Sequence, residues 1–232
     1  MKFNEAVKVG ASHTAGKYDF GKMSYQEVVT YLNSVGMDIE KEIINFKQNW
    51  QLANRKVKKG WTKRKDMPVV NTVDTPRFKK DIEAGRIDHK KPFAPGTDQK
   101  NLFPDMFTAA SAGKFLMRGL KDGSIKDDQI KVIRTKMKVK DITPIQSQIY
   151  LDIAMRVAKD EGIATRKSNI ENRSVSVVSK SGHLIDGHHR YLSAMLIDPD
   201  IMTHVLMIDL PIRKLIDMAM SFGFAIGNKR NL

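Results

Sequence analysis

Apolar residues recur along this chain with two different periods, and the change falls near residue 136. Before it the period is helical. Val28, Val29, Leu32 and Val35 share one face behind a capping box of Ser24 and Glu27, and Gly36 stops that helix. Ile39, Ile43, Phe46, Trp50 and Ala53 then recur at spacings of three and four, which predicts a second helix from about Asp38. Residues 66–104 break the pattern with Pro68, Pro76, Pro92, Pro95 and Pro104. They read as an irregular segment with one short helix near Arg77–Ala84, wrapping over something or separating two units. Pro104 suits a helix start. Met106, Phe107, Ala110, Phe115 and Leu116 give that helix an apolar side until Asp122-Gly123, and Asp127 and Asp128 open another short helix toward Arg134. Residues 1–22, polar with Gly10, Gly16 and Gly21, show no clear period and read as a mobile or partner-dependent arm.

After residue 136 strands alternate with helices. Met137–Ile142 alternates with period two and predicts a strand ended by Thr143-Pro144. Ile149, Ile153 and Val157, with Tyr150 and Ala154 beside them, predict a helix stopping near Gly162. Val175–Ser179 and Leu184–Asp186 read as a hairpin around the turn Lys180-Ser181-Gly182-His183. A helix from about His188 to Leu196, a strand from Thr203 to Asp209, and a last helix after Pro211 carrying Ile212, Leu215, Ile216 and Met220 complete the order. The predicted class is α+β: a small mixed sheet with helices over residues 131–232, preceded by a basic, mainly helical region over residues 1–130.

Composition narrows the chemistry. The 232 residues include no cysteine, which excludes disulfides, thiolate nucleophiles and cysteine–zinc sites. No apolar run is long enough to span a bilayer, and Met1–Glu5 leads into no signal-peptide core, so a cytoplasmic protein without a membrane partner is expected. Net charge is +14, which favours an anionic partner such as DNA or another nucleic acid over a merely solubilising surface. The charge concentrates between Lys47 and Lys65, where Lys47, Arg55, Lys56, Lys58, Lys59, Lys63, Arg64 and Lys65 stand with no acid among them. Trp61, beside Gly60, is the aromatic best placed there to stack on a base, whereas Trp50 falls on an apolar face and reads as core.

The densest chemistry is Asp186-Gly187-His188-His189-Arg190, at a predicted strand-to-helix junction. The unpaired N–H groups at a helix start and the positive end of its dipole attract phosphate. Gly187 allows close backbone approach, and Arg190 in the first turn can grip phosphate oxygens as a planar fork. His188 and His189 can donate to phosphate, move a proton or bind a metal. Asp186 can hold Mg²⁺ or accept a proton from a substrate hydroxyl. A purely structural reading makes Asp186 a cap, Gly187 a turn, His189 a core residue and Arg190 a solvated one. A third reading gathers His183, Asp186, His188 and His189 around a metal.

Residues 136–217 resemble the ParB/sulfiredoxin superfamily. The features that carry the resemblance are the strand ending in Ile142-Thr143-Pro144 with Gln146 or Gln148 after it, the hairpin around Gly182, the Asp186-Gly187-His188-His189-Arg190-Tyr191 motif with Ala194 in its helix, and the strand at Val205–Ile208. The family motif is a Gly-x-x-Arg at a helix N-terminus that holds nucleotide phosphates. The resemblance implies phosphate binding by Gly187, His188, His189 and Arg190. It also implies Mg²⁺ with ATP or CTP as cofactor.

Partition proteins of this family hydrolyse CTP, some relatives are described as ATPases and DNases, free serine kinases phosphorylate serine, and sulfiredoxins use ATP to rescue an oxidised cysteine. Sulfiredoxins carry their cysteine where His188 stands, so that reaction is excluded. Partition proteins have an acid at that position. They continue into a helix-turn-helix, which is not expected here, since about fifteen residues follow Asp217.

Three expectations follow. The first is an Mg²⁺-dependent NTPase or phosphotransferase in which Asp186, His188 and His189 are catalytic and Asp186 organises the metal. The second is a ParB-like nuclease using the same phosphate cradle. The third is a non-catalytic nucleic-acid-binding or assembly protein with a degenerate nucleotide site. A small basic chain of this kind suits a phage- or plasmid-encoded protein. Residues 1–130 resemble no family.

Overall fold

Val177 and Val178, flanked by Ser176 and Ser179, make a short apolar run, and all four residues are buried. Burial on both faces is what such a run requires of the middle strand of a sheet. The computed structural model describes residues 27, 30, 39–40, 43–45, 60–90, 109–150, 153–154, 157, 175–197 and 199–228 of the 232. It has eight strands among those residues: β1 Ile39–Glu40, β2 Ile43–Asn45, β3 Val132–Lys138, β4 Thr143–Pro144, β5 Gln148–Tyr150, β6 Ser176–Ser179, β7 His183–Asp186 and β8 Met202–Ile208. The four α-helices of defined extent are α1 Thr75–Glu83, α2 Ala109–Phe115, α3 His188–Ile197 and α4 Ile212–Ala225.

The class is α+β, with a five-stranded mixed sheet of order β3-β8-β6-β7-β4. Strand β6 pairs antiparallel with β7 and parallel with β8, where Ser176 to Ser179 face Val205 to Ile208 in register. The turn between β6 and β7 needs Gly182, whose φ is 76°. A separate antiparallel sheet has the order β1-β2-β5. No helix among the described residues is long and apolar enough to cross a membrane.

The chain divides into two compact units, and each draws on segments from both sides of residue 130. Unit 1 comprises residues 1–63, 136–175 and 187–204, and unit 2 comprises residues 64–135, 176–186 and 205–232. Unit 2 has a continuous core of Val70, Phe78, Ile82, Ile87, Phe115, Val177, Ile185, Leu215, Met218 and Phe222, with other apolar side chains packed around them. Helix α1 enters that core through Phe78 and Ile82, and Pro76 sits in its first turn as the fixed φ of proline favours. In unit 1 the buried residues include Val139, Ile142, Ile145, Ile149, Ala154, Tyr191, Leu192 and Met195.

The hairpin, α3, β8 and α4 lie where the periodicity predicts them, and α1 matches the expected helix near Arg77–Ala84. Glu27 and Thr30 have helical backbone, as the capping box predicts. Four expectations are corrected. The strand expected over Met137–Ile142 lies earlier, since β3 ends at Lys138, Val139–Asp141 is a 3₁₀ turn, and Thr143-Pro144, expected to end the strand, forms β4. The helix predicted from Asp38 is replaced at Ile39–Glu40 and Ile43–Asn45 by strands, with Ile44 opposite Ile149. Spacings of three and four suit a helix, but consecutive β-branched residues with a partner strand available favour a sheet. The helix expected from Asp127 to Arg134 gives way to β3, which opens at Val132. Ile149 and Tyr150 belong to β5, and helical backbone is described only at Ile153, Ala154 and Val157. The glycine-containing arm over residues 1–22, with Phe46, Trp50 and Met106, lies outside the described residues.

Candidate functional site

The junction between β7 and α3 is built from the turn outward. Leu184 and Ile185 are buried in β7, and Asp186, half-buried, ends the strand opposite Val177. Gly187 has φ 101°, a conformation that side chains disfavour, so the strand breaks there and the helix begins at the next residue. The Tyr191 N–H donates to the Gly187 carbonyl at 2.8 Å, closing the first turn. Helix α3 is ten residues long. Its start leaves N–H groups without intrahelical partners and carries the positive end of the helix dipole. Asp186 belongs to unit 2 and Gly187 to Arg190 to unit 1.

His188 and His189, adjacent in sequence, have different surroundings. His188 is 4% exposed. Its Nε2 accepts the backbone N–H of Ile145 at 3.3 Å and of Gln146 at 3.1 Å. An Nε2 that accepts two N–H groups carries no proton, so the ring proton sits on Nδ1. The side chain thus anchors a backbone segment, and its Nε2 lone pair is not available to a ligand. His189 is half-buried, and its ring lies parallel to that of Tyr150, with centroids 6.5 Å apart and planes 9° from coplanar. Arg190 is half-buried in the first turn. Tyr191 is buried, and burial pushes its phenol up, away from ionisation at neutral pH. The Ser193 hydroxyl donates to the Ala154 carbonyl, while its 2.8 Å bond to the His189 carbonyl lies within α3.

The segment anchored by His188 also holds the end of the basic run. The N–H groups of Trp61 and Thr62 both donate to the Ile145 carbonyl at 2.8 Å, and Ser147 returns an N–H to the Thr62 carbonyl at 2.9 Å. Gly60 is required for this approach, because a Cβ there would lie 2.0 Å from the Gln146 carbonyl oxygen. Trp61, 54% exposed, therefore stands on a backbone strap tied through Ile145 to the first residue of α3. The structure thus joins two features that sequence reading treats separately, the tryptophan of the basic run and the Asp186–Arg190 motif.

Of the other basic-run positions, Lys63 and Lys65 are exposed, and Arg64 is half-buried at the start of a 3₁₀ turn, Arg64–Asp66. Lys47, Arg55, Lys56, Lys58 and Lys59 lie outside the described residues. The set His183, Asp186, His188 and His189 does not form a metal-ligand cluster. His183 Nδ1 is 2.8 Å from the Ser181 hydroxyl, and His188 Nε2 is committed to backbone. Among the described residues, the cluster of metal-capable side chains is Asp88, Asp122 and Asp128. Sequence reading misses it because its members are scattered through turns with no ligand spacing; Asp88-His89 and Asp127-Asp128 are the only local signal.

Comparison of the chain with protein-family models, curated proteins and solved structures finds no match.

Proposed function

We propose that the chain is a ParB/sulfiredoxin-like protein that binds a nucleotide by its phosphates at the N-terminus of α3 and acts as an Mg²⁺-dependent NTPase or phosphotransferase on ATP or CTP. The observation that carries this reading is the junction itself. A left-handed Gly187 opens directly into a ten-residue helix whose first turn contains His189 and Arg190, both half-buried. The backbone N–H groups of a helix start, its dipole and a guanidinium within one turn make up a phosphate cradle. In this proposal Arg190 grips phosphate oxygens, His189 donates to them and steadies developing charge, and His188 holds the cradle in place. Asp186, at the end of β7, is the acid assigned to Mg²⁺. The metal would neutralise phosphate charge when bound.

Arg190→Ala is expected to weaken nucleotide binding by about 10- to 100-fold, from the ~1.5–3 kcal/mol of hydrogen bonds to charged groups. Calorimetric titration with ATP, CTP and GTP in Mg²⁺ reads the effect, and an unchanged affinity in the variant would remove the proposal's support.

A second reading rests on Trp61. An exposed indole on a fixed strap, two residues before the exposed Lys63, suits single-stranded nucleic acid, with a base stacked on the ring and a phosphate on the lysine. A nuclease would use the same phosphate cradle for a scissile phosphate. Binding carried by this run is expected to fall steeply as salt rises and to drop on Trp61→Ala. DNA affinity that is flat between low and moderate salt would count against it.

A further inference from the structure

Unit 2 holds an acidic cluster that the phosphate cradle does not use. We propose that Asp88, Asp122 and Asp128 form a binding site for one divalent cation of the hard, oxygen-preferring class, Mg²⁺, Mn²⁺ or Ca²⁺. One carboxylate oxygen from each residue lies within 4.8 Å of the others. Asp88 and Asp128 are buried, at 3% and 0% exposure, while Asp122 is exposed.

The decisive atom is Asp128 Oδ2. The other oxygen, Oδ1, accepts the His89 backbone N–H at 3.1 Å and faces His89 Nδ1 at 2.9 Å. Oδ2 is buried with no hydrogen-bond partner. A carboxylate oxygen removed from water and left unpaired is strongly unfavourable, and folded proteins keep one only where something else satisfies it. Burial pushes the Asp128 carboxyl up, the His89 hydrogen bonds pull it down, and the Asp88 and Asp122 charges push it up again. A divalent cation answers both demands: it occupies the open oxygen and cancels the repulsion within the cluster.

The surrounding backbone is shaped for this arrangement. A Cβ on Gly119 would lie 2.3 Å from the Gly85 carbonyl oxygen and 3.0 Å from Asp128 Oδ2. Gly85 has φ 65°, and a Cβ there would lie 2.6 Å from the Ile125 carbonyl oxygen. The Gly119 N–H donates to the Arg86 carbonyl at 2.9 Å. Two turns are therefore pressed together through glycines, bringing acids distant in sequence to one point. Arg86 meets Asp81 at 3.2 Å, and the Lys90 ammonium pairs with Asp127 while also acting on Asp128 and Asp122 through its charge. The Lys90 N–H donates to Asp88 Oδ1 at 2.8 Å and fixes that carboxylate's orientation. His89 is a positioning residue that orients Asp128 from outside the ligand set. An all-carboxylate donor set favours Mg²⁺, Mn²⁺ or Ca²⁺ over softer metals.

The test uses the full chain, stripped with chelator and free of nucleotide, titrated separately with Mn²⁺, Mg²⁺ and Ca²⁺ by calorimetry, with the thermal midpoint followed in parallel. The expected result is one saturable site per chain for at least one cation, accompanied by a rise in thermal midpoint. Asp122→Asn is expected to weaken binding by about tenfold or more while leaving the metal-free midpoint nearly unchanged, because Asp122 is exposed. Asp128→Asn removes a buried ligand, and if that variant fails to fold, Asp122→Asn alone decides. No saturable binding up to about millimolar cation would overturn the proposal. So would binding that survives Asp122→Asn but disappears in Asp186→Ala.

Discussion

Replacing His188 with alanine is expected to destabilise the protein by about 2–5 kcal/mol, since each orphaned buried donor costs ~1–3 kcal/mol. The variant leaves the N–H groups of Ile145 and Gln146 facing a void where an imidazole nitrogen now accepts both. Water does not easily replace it, because Ile145 and Gln146 are themselves buried. His188→Gln, which can place an amide oxygen near the lost Nε2, is expected to recover a large part of the difference. Urea denaturation followed by circular dichroism measures both. The result also separates two roles for this residue. An anchor loses stability on truncation, whereas a general base or phosphate donor loses only activity. A His188→Ala protein as stable as the wild type would contradict the anchoring role of His188.

Phe222→Ala is expected to have a larger effect, about 3–5 kcal/mol, by opening a cavity in the core of unit 2. Phe222 is fully buried, and its ring centroid lies 4.8 Å from that of Phe78 on α1. Leu215, Met218 and Ala219 of α4 are buried with it. The backbone around this helix has little freedom to collapse into a void. A Cβ on Gly223 would already lie 2.4 Å from the Val69 carbonyl oxygen, and the Asn228 amide donates to that same oxygen at 2.8 Å. Phe222→Leu keeps most of the volume and is expected to cost less than half as much. A shift in urea midpoint corresponding to less than about 1 kcal/mol for Phe222→Ala would show that α4 does not seal this core.

Periodicity located the elements whose neighbours in sequence are also their neighbours in space. The β6–β7 hairpin needs only its own valines, Leu184, Ile185 and a glycine turn, and α4 needs only the spacing of Ile212, Leu215, Ile216 and Met220. Both lie where expected. The failures share one cause. Ile43 and Ile44 become strand because Ile149 and Tyr150, far along the chain, supply the partner edge, and a helical spacing of isoleucines contains no trace of that partner.

The same limit applied to the site. Gly187, His189 and Arg190 could be singled out from their place at a strand-to-helix junction. The different surroundings of His188 and His189 could not, because they depend on where Ile145, Gln146 and Tyr150 lie. The link from Trp61 to α3 was hidden for the same reason, since it runs through the Ile145 backbone to the His188 ring, groups far apart in sequence. The cluster of Asp88, Asp122 and Asp128 was hidden because turns converge without a period.

The proposed binding of phosphate at the start of α3 is open to direct test by titrating the isotope-labelled chain with Mg²⁺-ATP and Mg²⁺-CTP, and in parallel with a short single-stranded DNA, following backbone amide and indole N–H resonances. The expected result is saturable displacement of the Gly187, His188, His189 and Arg190 amides by a nucleotide, abolished in Arg190→Ala. Movement of the Trp61 indole would follow if the base reaches the strap. Saturable shifts that leave those four amides unmoved, or no shifts with either nucleotide, would contradict phosphate binding at this helix start. Shifts confined to Trp61 and its neighbouring lysines on adding DNA would leave nucleic-acid binding as the reading that stands.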